Sequence, residues 1–446
     1  MKTPIIDFIN KYAESNVTRL HMPGHKGKGG FGIEAIDITE VAGADVLYSS
    51  CGIIRESEEE ASSLFGTAKT VYSAEGSSLA IRAMVYLVKK YALSRGMRPK
   101  ILAARNVHKT FITTSSLLDV DVSFIYSADG SVVSCEIELE KLREKIKAEK
   151  PTAVYVTSPD YLGKCADIER ISAICHEYGA LLIVDNAHGA YLKFLTPSRH
   201  PIDLGADMCC DSAHKTLPVL TGGAYLHISK TAPKFFSEEA EDAMSLFAST
   251  SPSYLILASL DAANRRLSET FRDEIKVVSE KAEKLCIKLA KHGLELLGDE
   301  PLKITLAPKS FGYEGDELAE KLREENIECE FSDRDFLVLM LSADTSDEDI
   351  RRAEAALLGV PRQEPIAEET PHLSPPKIKL SPSNALLAPS EVLPLDKCEG
   401  RIFADVSVSC PPAIPIVICG EEINGELLKL LKYYGQETCK VIKESK

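Results

Sequence analysis

Lys215 stands in the stretch DSAHKTLPVLTGGAYLH (211–227), which follows a short apolar run and contains a Gly-Gly pair. A lysine in this position has two interpretations. It is either a solvated charge in a surface loop or a partly desolvated amine that forms a Schiff base with a carbonyl cofactor. The preceding segment ADMCCDS (206–212) predicts a buried strand. Lys215 would then lie at the edge of a sheet where open α/β folds place their ligands.

Two further features supply the partners that such a lysine needs. Asp185 ends the apolar run of ALLIVDNA (180–187), 30 residues before Lys215, and it either caps a neighbouring turn or meets a cation. Gly76, Ser77 and Ser78 begin a predicted helix, where backbone N–H groups and hydroxyls can bind a phosphate. Pyridoxal phosphate requires a lysine, a carboxylate at its pyridine nitrogen and phosphate donors. The combination favours that cofactor, although none of the three signals is specific alone.

Ordered motifs along the chain extend this pattern. They are LHMPGHKG (20–27), DITEVAGADVL (37–47), RNVHKT (105–110), VDNAHGAY (184–191), DSAHKTLPVLTGGAYLH (211–227), STSPSYLILASLD (249–261), SPSNALLAPSEVLPLDKCEGRIFAD (381–405) and CPPAIPIVICGE (410–421). Together they resemble the pyridoxal-phosphate-dependent ornithine/lysine/arginine decarboxylase family of fold type I. The resemblance implies decarboxylation of arginine, lysine or ornithine to the corresponding polyamine-pathway amine.

The resemblance also implies a role for individual side chains. Lys215 would carry the cofactor as a Schiff base, Asp185 would pair with its pyridine nitrogen, His108 would stack on its ring, and His188 would lie near the cofactor oxygen and the substrate. The phosphate would be held by residues at the helix start and around the lysine, with a contribution from the neighbouring subunit: Gly76, Ser77, Ser78, Ser212, His214, Thr250 and Ser251. The arm around His25 and Lys26 would complete an active site at a dimer interface. No metal is expected.

Five positions depart from the family's pattern. Glu75 precedes Gly76, where a carboxylate would repel a phosphate unless it points away. Asn186 replaces the usual glutamate, and Asp160 stands where a small hydroxyl residue is usual. Asp405 and Cys410 occupy tail positions that are commonly glutamate and tyrosine. We expect these changes to bear on the substrate more than on the cofactor.

Other functions remain open at this point. The fold could carry an aminotransferase or a lyase, and a non-catalytic protein could have kept the fold. The resemblance is to the short members, which lack an N-terminal wing, so we expect a homodimer or tetramer and not a wing-built decamer.

The elements that would position these residues are strands and helices in alternation. Apolar runs predict strands at 100–105, 120–127, 152–159, 180–187, 206–212 and 222–229, with helices including 75–93 and 167–180. Such alternation is typical of a mostly parallel sheet covered on both faces. A proline-free tract at 254–297 predicts a long helix, and strands near 303–308 and 335–342 with helices at 316–326 and 347–359 suggest a smaller α/β region.

These elements predict an α/β chain with a fold type I large domain and a smaller C-terminal α/β domain. We expect an N-terminal arm (1–35), a large cofactor-binding domain (36–265), a small α/β region (266–360), and a proline-rich connection with a C-terminal region (361–446). Glycine, histidine and lysine replace any periodic pattern at the end of the arm, which predicts a loop there.

Composition excludes several classes of protein. With 52 Lys and Arg against 67 Asp and Glu, the formal net charge is -15, which disfavours nucleic acid as a partner. No apolar run approaches a membrane span, and the first residues resemble neither a signal nor a transit peptide, so we expect a cytoplasmic protein. Twelve cysteines are scattered without a CxxC pair, which indicates reduced thiols.

Overall fold

The protein is described here from a computed structural model that covers residues 1–127, 131, 133–134, 136–372, 374–406 and 414–444. The strands of these residues are, in chain order, β1 (Lys69–Ser73), β2 (Lys100–Ala104), β3 (Asp121–Ile125), β4 (Ala153–Thr157), β5 (Leu181–Asp185), β6 (Met208–Asp211), β7 (Ala224–Ile228), β8 (Leu296–Leu297), β9 (Lys303–Leu306), β10 (Phe331–Ser332), β11 (Leu337–Met340), β12 (Ser390–Pro394) and β13 (Thr438–Ile442).

The α-helices of the same residues are α1 (Pro4–Glu14), α2 (Ile53–Phe65), α3 (Ser77–Ser94), α4 (Lys109–Leu117), α5 (Leu139–Glu149), α6 (Ile168–Glu177), α7 (Ala213–Thr216), α8 (Lys234–Ser245), α9 (Tyr254–Glu269), α10 (Phe271–His292), α11 (Gly315–Glu324), α12 (Asp347–Gly359), α13 (Pro382–Leu387) and α14 (Gly425–Tyr433). Short 3-10 helices lie at Ala190–Phe194, Pro308–Phe311 and Leu395–Lys397. In the described part of the chain, no helix has the length and hydropathy needed to cross a membrane.

The central sheet has seven strands in the order β1-β7-β6-β5-β4-β2-β3. Strand β2 pairs in parallel with both β3 and β4, and β5 pairs in parallel with β6. The sheet turns antiparallel at one edge, where β7 pairs with β6 and β1 pairs with β7. The prediction of an α/β fold with a mostly parallel central sheet is confirmed.

The chain divides into two compact units. The first comprises 1–98 and 168–276, and the second comprises 99–167 and 277–446. In the first unit, helix α3 buries nine of its side chains, from Leu79 to Ala92, and the strands β5, β6 and β7 are buried at every position. Burial on both faces explains why these strands read as continuous apolar runs.

In its described residues, the second unit has two small antiparallel sheets of its own. One has the order β10-β11-β9-β8 and the other pairs β12 with β13. Both pack with an apolar cluster that includes Phe403, Ile416 and Leu431. The four-segment division expected from the sequence stays a prediction, because a division into compact units does not locate an arm or a connection.

The structure corrects several details of the predicted elements. The tract 254–297 is not one helix: α9 ends at Glu269, α10 ends at His292, and Leu296–Leu297 is a strand. Gly293 ends α10 because its φ of +102° lies in the left-handed region, which glycine adopts without strain. The sequence analysis did not predict helix α1. This helix begins at Pro4 and buries Ile5 and Ile9, as expected of a short amphipathic helix.

Candidate active site

The side chain of Lys215 contacts a histidine. It lies on α7, a single helical turn that directly follows β6, and its backbone N–H donates to the Ser212 carbonyl at 3.0 Å. The Lys215 Nζ atom is 3.0 Å from His188 Nε2, and the lysine is only half-exposed. Lys215 is therefore not a fully solvated side chain in the structure, and its role in covalent chemistry stays a prediction.

Asp185 reaches the same region from the neighbouring strand. It is the last residue of β5, with 2% of its surface exposed, and it pairs in the parallel register with Cys210 of β6. Its Oδ1 atom accepts from the backbone N–H of Ala187 at 3.2 Å and from the Cys210 thiol at 3.5 Å. Burial raises the pKa of Cys210 well above its usual range, and the negative charge of Asp185 raises it further. The thiol thus stays protonated and can donate.

The start of helix α3 has the chemistry of an anion site. Its N-cap is Gly76, with φ 73° and ψ 178°, and no side chain caps the helix. Ser212 Oγ donates to Ser77 Oγ at 2.7 Å, and His214 Nδ1 donates to the Gly223 carbonyl at 2.9 Å. A Cβ atom at position 76 would lie 4.0 Å from the His214 ring, which places that ring beside the helix start.

These donors fit the phosphate group that the resemblance implies. The N-terminal N–H groups of an α-helix carry partial positive charge and favour an anion. Ser77 and Ser78 occupy the first turn of an 18-residue helix, and the hydroxyl and imidazole groups of Ser212 and His214 face it from the segment that carries Lys215. A lysine, a buried carboxylate and a candidate phosphate site thus come from adjacent elements of the first unit.

Glu75 turns away from this helix start. Its Oε1 atom accepts from the backbone N–H of Ser249 at 2.7 Å, while its own N–H donates to Ser73 Oγ at 3.1 Å. The expected conflict between Glu75 and a phosphate is resolved by this bond. Thr250 and Ser251, in the same segment as Ser249, are exposed, and their contribution to a neighbouring subunit's site stays a prediction.

Three other predicted site residues have local contacts in the structure. His108 belongs to the second unit, where it caps α4, with its Nδ1 atom accepting from the Thr110 N–H at 3.1 Å. In the arm, His25 Nε2 lies 3.2 Å from Asp37, and Lys26 Nζ donates to the carbonyl of His21. Their roles toward a cofactor or a second subunit remain predictions.

The other departures have local structural roles where they are described. Asp160 is buried, and its Oδ1 atom accepts from the backbone N–H groups of Leu162 and Lys164, each at 2.9 Å. Burial raises its pKa, although these hydrogen bonds oppose the shift. Asp405 Oδ1 accepts from Val406 N–H at 2.7 Å. Cys410 lies outside the described residues.

The sequence analysis did not identify Asp211, a buried carboxylate next to the candidate site. Asp211, the first residue of the motif around Lys215, is fully buried and accepts from Asn186 Nδ2 at 2.7 Å and from His200 Nε2 at 3.0 Å. A charged residue ending the apolar strand MCCD was the available signal, because a buried carboxylate requires donors. The spacing to His200 gave no such signal.

The fold and the site together define a class. A mostly parallel seven-stranded sheet, a lysine after β6, a carboxylate at the end of β5 and an anion site at the start of α3 are features of fold type I pyridoxal-phosphate enzymes. Two solved lysine decarboxylases share the fold. The Francisella novicida structure has a TM-score of 0.79 at 20% identity, covering 99% of this chain and 81% of that one. The Pseudomonas aeruginosa structure has a TM-score of 0.82 at 18% identity, covering 99% and 80%.

Sequence comparison narrows the class to a family. Residues 3–298 match the major-domain model of the Orn/Lys/Arg decarboxylases, and residues 370–440 match the model of their C-terminal domain. The arginine decarboxylase of Bacillus subtilis strain 168 is 30% identical over 95% of this chain and 92% of its own length. That of Bacillus anthracis is 29% identical over 97% and 92%. The chain belongs to the Orn/Lys/Arg decarboxylase family, whose members are pyridoxal-phosphate-dependent amino acid decarboxylases.

Proposed function

We propose that this protein binds pyridoxal phosphate at Lys215 and decarboxylates a basic amino acid, with arginine as the first candidate. The observation that carries the proposal is the 3.0 Å contact between Lys215 Nζ and His188 Nε2 at the carboxyl end of β6, beside the buried Asp185 that ends β5. The arginine decarboxylases among the relatives support arginine over lysine and ornithine.

Each residue has a task in this proposal. Bound pyridoxal phosphate supplies an electron sink for the charge left when the carboxylate departs. Asp185 would hold the proton on the pyridine nitrogen, since a buried anion favours a protonated partner. His188 would exchange a proton with Lys215, because its Nε2 atom lies 3.0 Å from Lys215 Nζ, within hydrogen-bond reach. Ser77, Ser212 and the N–H groups of α3 would orient the cofactor through its phosphate.

The proposal extends to the product, the cellular compartment and the assembly of the enzyme. The product would be a polyamine-pathway amine, the protein would act in the cytoplasm, and a homodimer or tetramer would place the active site at a subunit interface. The exposed Thr250 and Ser251 are available for such a contact. Sedimentation of the purified protein with and without cofactor would measure the assembly.

Two measurements test the cofactor claim. Reduction of the protein with borohydride in the presence of pyridoxal phosphate should fix the cofactor on the tryptic peptide that contains Lys215. Lys215→Ala should remove both this adduct and the visible absorbance of the lysine-bound cofactor. Lys230 is exposed, and the control variant Lys230→Ala should keep both signals. Persistence of both in Lys215→Ala would contradict the assignment, as would their absence from the wild-type protein.

The reaction is tested with arginine, lysine and ornithine, each supplied separately and together with a keto acid that can accept the amino group. Release of carbon dioxide with formation of one amine product supports decarboxylation and names the substrate. Transfer of the amino group to a keto acid without carbon dioxide would instead establish the aminotransferase alternative. A protein that binds the cofactor but converts none of the three would refute the basic amino acid as substrate.

A further inference from the structure

Four buried side chains surround the end of strand β6. We call them the Asp211 cluster: Asp211, Asn186, His200 and His227. All four are fully buried. Asp211 Oδ1 accepts from Asn186 Nδ2 at 2.7 Å, and Asp211 Oδ2 lies 3.0 Å from His200 Nε2 and 3.3 Å from His227 Nε2. Asn186 and His200 are the hydrogen-bond donors of this carboxylate, and removing either of them would leave a buried charge with less compensation.

The protons in the cluster can be placed from its neighbours. The Ile202 N–H donates to His200 Nδ1 at 3.4 Å, so the ring proton of His200 is on Nε2 and points at Asp211. Burial alone would raise the pKa of Asp211, but His200 and His227 outweigh it and hold that pKa well below its usual range. Asp211 is therefore an acceptor for its neighbours.

The same proton argues against a metal ion in this group. Cys209 Sγ is 4.0 Å from His200 Nε2, and the His200, Cys209 and Asp211 ligand atoms lie within 4.8 Å of one another. A metal would need a lone pair on His200 Nε2 and a thiolate on Cys209. The Ile202 N–H favours a protonated Nε2, and burial raises the pKa of Cys209 well above its usual range.

The cluster connects the two segments that carry the cofactor residues. Asn186 follows Asp185 and lies two residues before His188, and its backbone N–H donates to the Cys210 carbonyl at 3.0 Å. Asp211 precedes Ser212 and lies four residues before Lys215. The hydrogen bond from Asn186 to Asp211 therefore links the turn after β5 to the end of β6. The proposed functional side chains of both segments lie next to this link in the sequence.

We propose that Asp211 is a positioning residue that holds the turn containing Asp185 and His188 in register with Lys215, and that it thereby sets the affinity for pyridoxal phosphate. This inference rests on the proposed function, since it concerns the same site. Asp211 itself touches neither cofactor nor substrate in this proposal, because its carboxylate is engaged by the cluster.

The test measures the dissociation constant of pyridoxal phosphate by absorbance and the melting temperature of each variant without cofactor. Asp211→Asn should weaken cofactor binding about tenfold, as expected for the loss of one buried charge-assisted hydrogen bond. The swap variant Asn186→Asp with Asp211→Asn restores an amide–carboxylate bond of reversed polarity, so it should recover part of the affinity. If Asp211→Asn does not fold, Asn186→Ala removes the same bond and keeps both histidines.

The control lies at the other end of the same strand. Asp207 precedes β6, is buried, and accepts from the Leu182 N–H at 2.7 Å and lies 2.9 Å from His176 Nε2. Asp207→Asn should lower the melting temperature and leave cofactor affinity unchanged. Equal loss of affinity in both variants, or unchanged affinity in Asp211→Asn and Asn186→Ala, would overturn the inference. Wild-type protein that binds no cofactor would instead overturn the proposed function.

Discussion

At the scale of single residues, the surroundings of a side chain decide its role more than its type does. Lys215 and Lys193 both belong to the first unit. Lys193 Nζ donates to Asp203 Oδ1 at 2.6 Å, whereas Lys215 Nζ lies 3.0 Å from His188 Nε2. The ammonium group of Lys193 is thus engaged in an ion pair, while the neighbour of Lys215 is an imidazole. This difference separates a structural lysine from a candidate for covalent chemistry.

Gly76 is the backbone residue on which the anion site depends. Its φ of 73° and ψ of 178° lie in a region that is essentially restricted to glycine. Gly76→Ala should therefore destabilise the protein by about 1 to 3 kcal/mol and weaken pyridoxal phosphate binding, because the first turn of α3 must move. Thermal melting and absorbance titration measure the two effects.

A matched control for Gly76 is Gly359, the last residue of α12. A Cβ atom there would meet nothing within 4 Å and the backbone is not left-handed, so Gly359→Ala should leave both stability and cofactor binding nearly unchanged. If Gly76→Ala behaved like the control, the strained helix start would have no bearing on the site.

At the scale of elements, a carboxylate of helix α9 caps the start of helix α1. Asp261 Oδ2 accepts from the backbone N–H groups of Ile5 and Ile6 at 2.9 and 3.0 Å, and Ser57 Oγ donates to Oδ1 at 2.5 Å. A helix N-terminus has N–H groups without intrahelical partners, and a carboxylate there is favourable. Burial raises the pKa of Asp261 to about 6 in spite of these bonds.

Asp261→Ala should release helix α1. We expect amide exchange at Ile5 and Ile6 to accelerate about fivefold to thirtyfold, the equivalent of about 1 to 2 kcal/mol for a lost cap. Hydrogen exchange with mass spectrometry resolves this peptide from the rest. Ser346→Ala, which removes the N-cap of α12 in the second unit, should accelerate exchange at α12 alone, and release of α1 in that variant would count against a local cap.

At the scale of the whole molecule, two buried or partly buried glutamates respond to pH in opposite directions. Burial raises the pKa of Glu58 to about 8, although its Oε1 atom accepts from the Tyr72 N–H at 2.8 Å. For Glu149, burial opposes the shift, but Lys100, Ser123 and Lys145 outweigh it and lower the pKa to about 2.

The raised pKa of Glu58 predicts that its folded form binds a proton more tightly than its unfolded form. The contribution of Glu58 to stability is thus complete below its ordinary pKa of 4.5 and is lost as pH rises through about 8. Glu58→Gln mimics the protonated side chain, so it should be nearly neutral at about pH 5 and more stable than wild type at about pH 8, on the order of 3 kcal/mol. Urea unfolding at both pH values measures the difference.

Glu149→Gln is the companion variant for this prediction. Glu149 stays ionised at both pH values, since its contribution is present above its ordinary pKa and is lost only as pH falls through about 2. Its substitution should cost the same at about pH 5 and about pH 8. A Glu58→Gln effect that is equally constant would show that Glu58 does not titrate in this window.

What the sequence determined by itself was the alternation of strands and helices in the central sheet and the candidate positions for chemistry. Continuous apolar runs indicated β2 and β4 through β7, because strands buried on both faces carry no alternation. Strand β3 was indicated by the apolar-rich segment VDVSFIYS, although it is only partly buried. Lys215, Asp185 and the glycine and serines before α3 were recognisable because they follow strands or begin a helix, where local sequence and ligand placement coincide.

The tertiary structure decided everything that depends on pairs distant in sequence. It brought His188 to Lys215, turned Glu75 toward Ser249 and joined Asp211 to Asn186, His200 and His227. No periodicity encodes such contacts, since they form only when the fold brings together segments that are 11 or more residues apart in sequence. Local pattern therefore located the candidate active site, and long-range packing determined the protonation, orientation and support of its side chains.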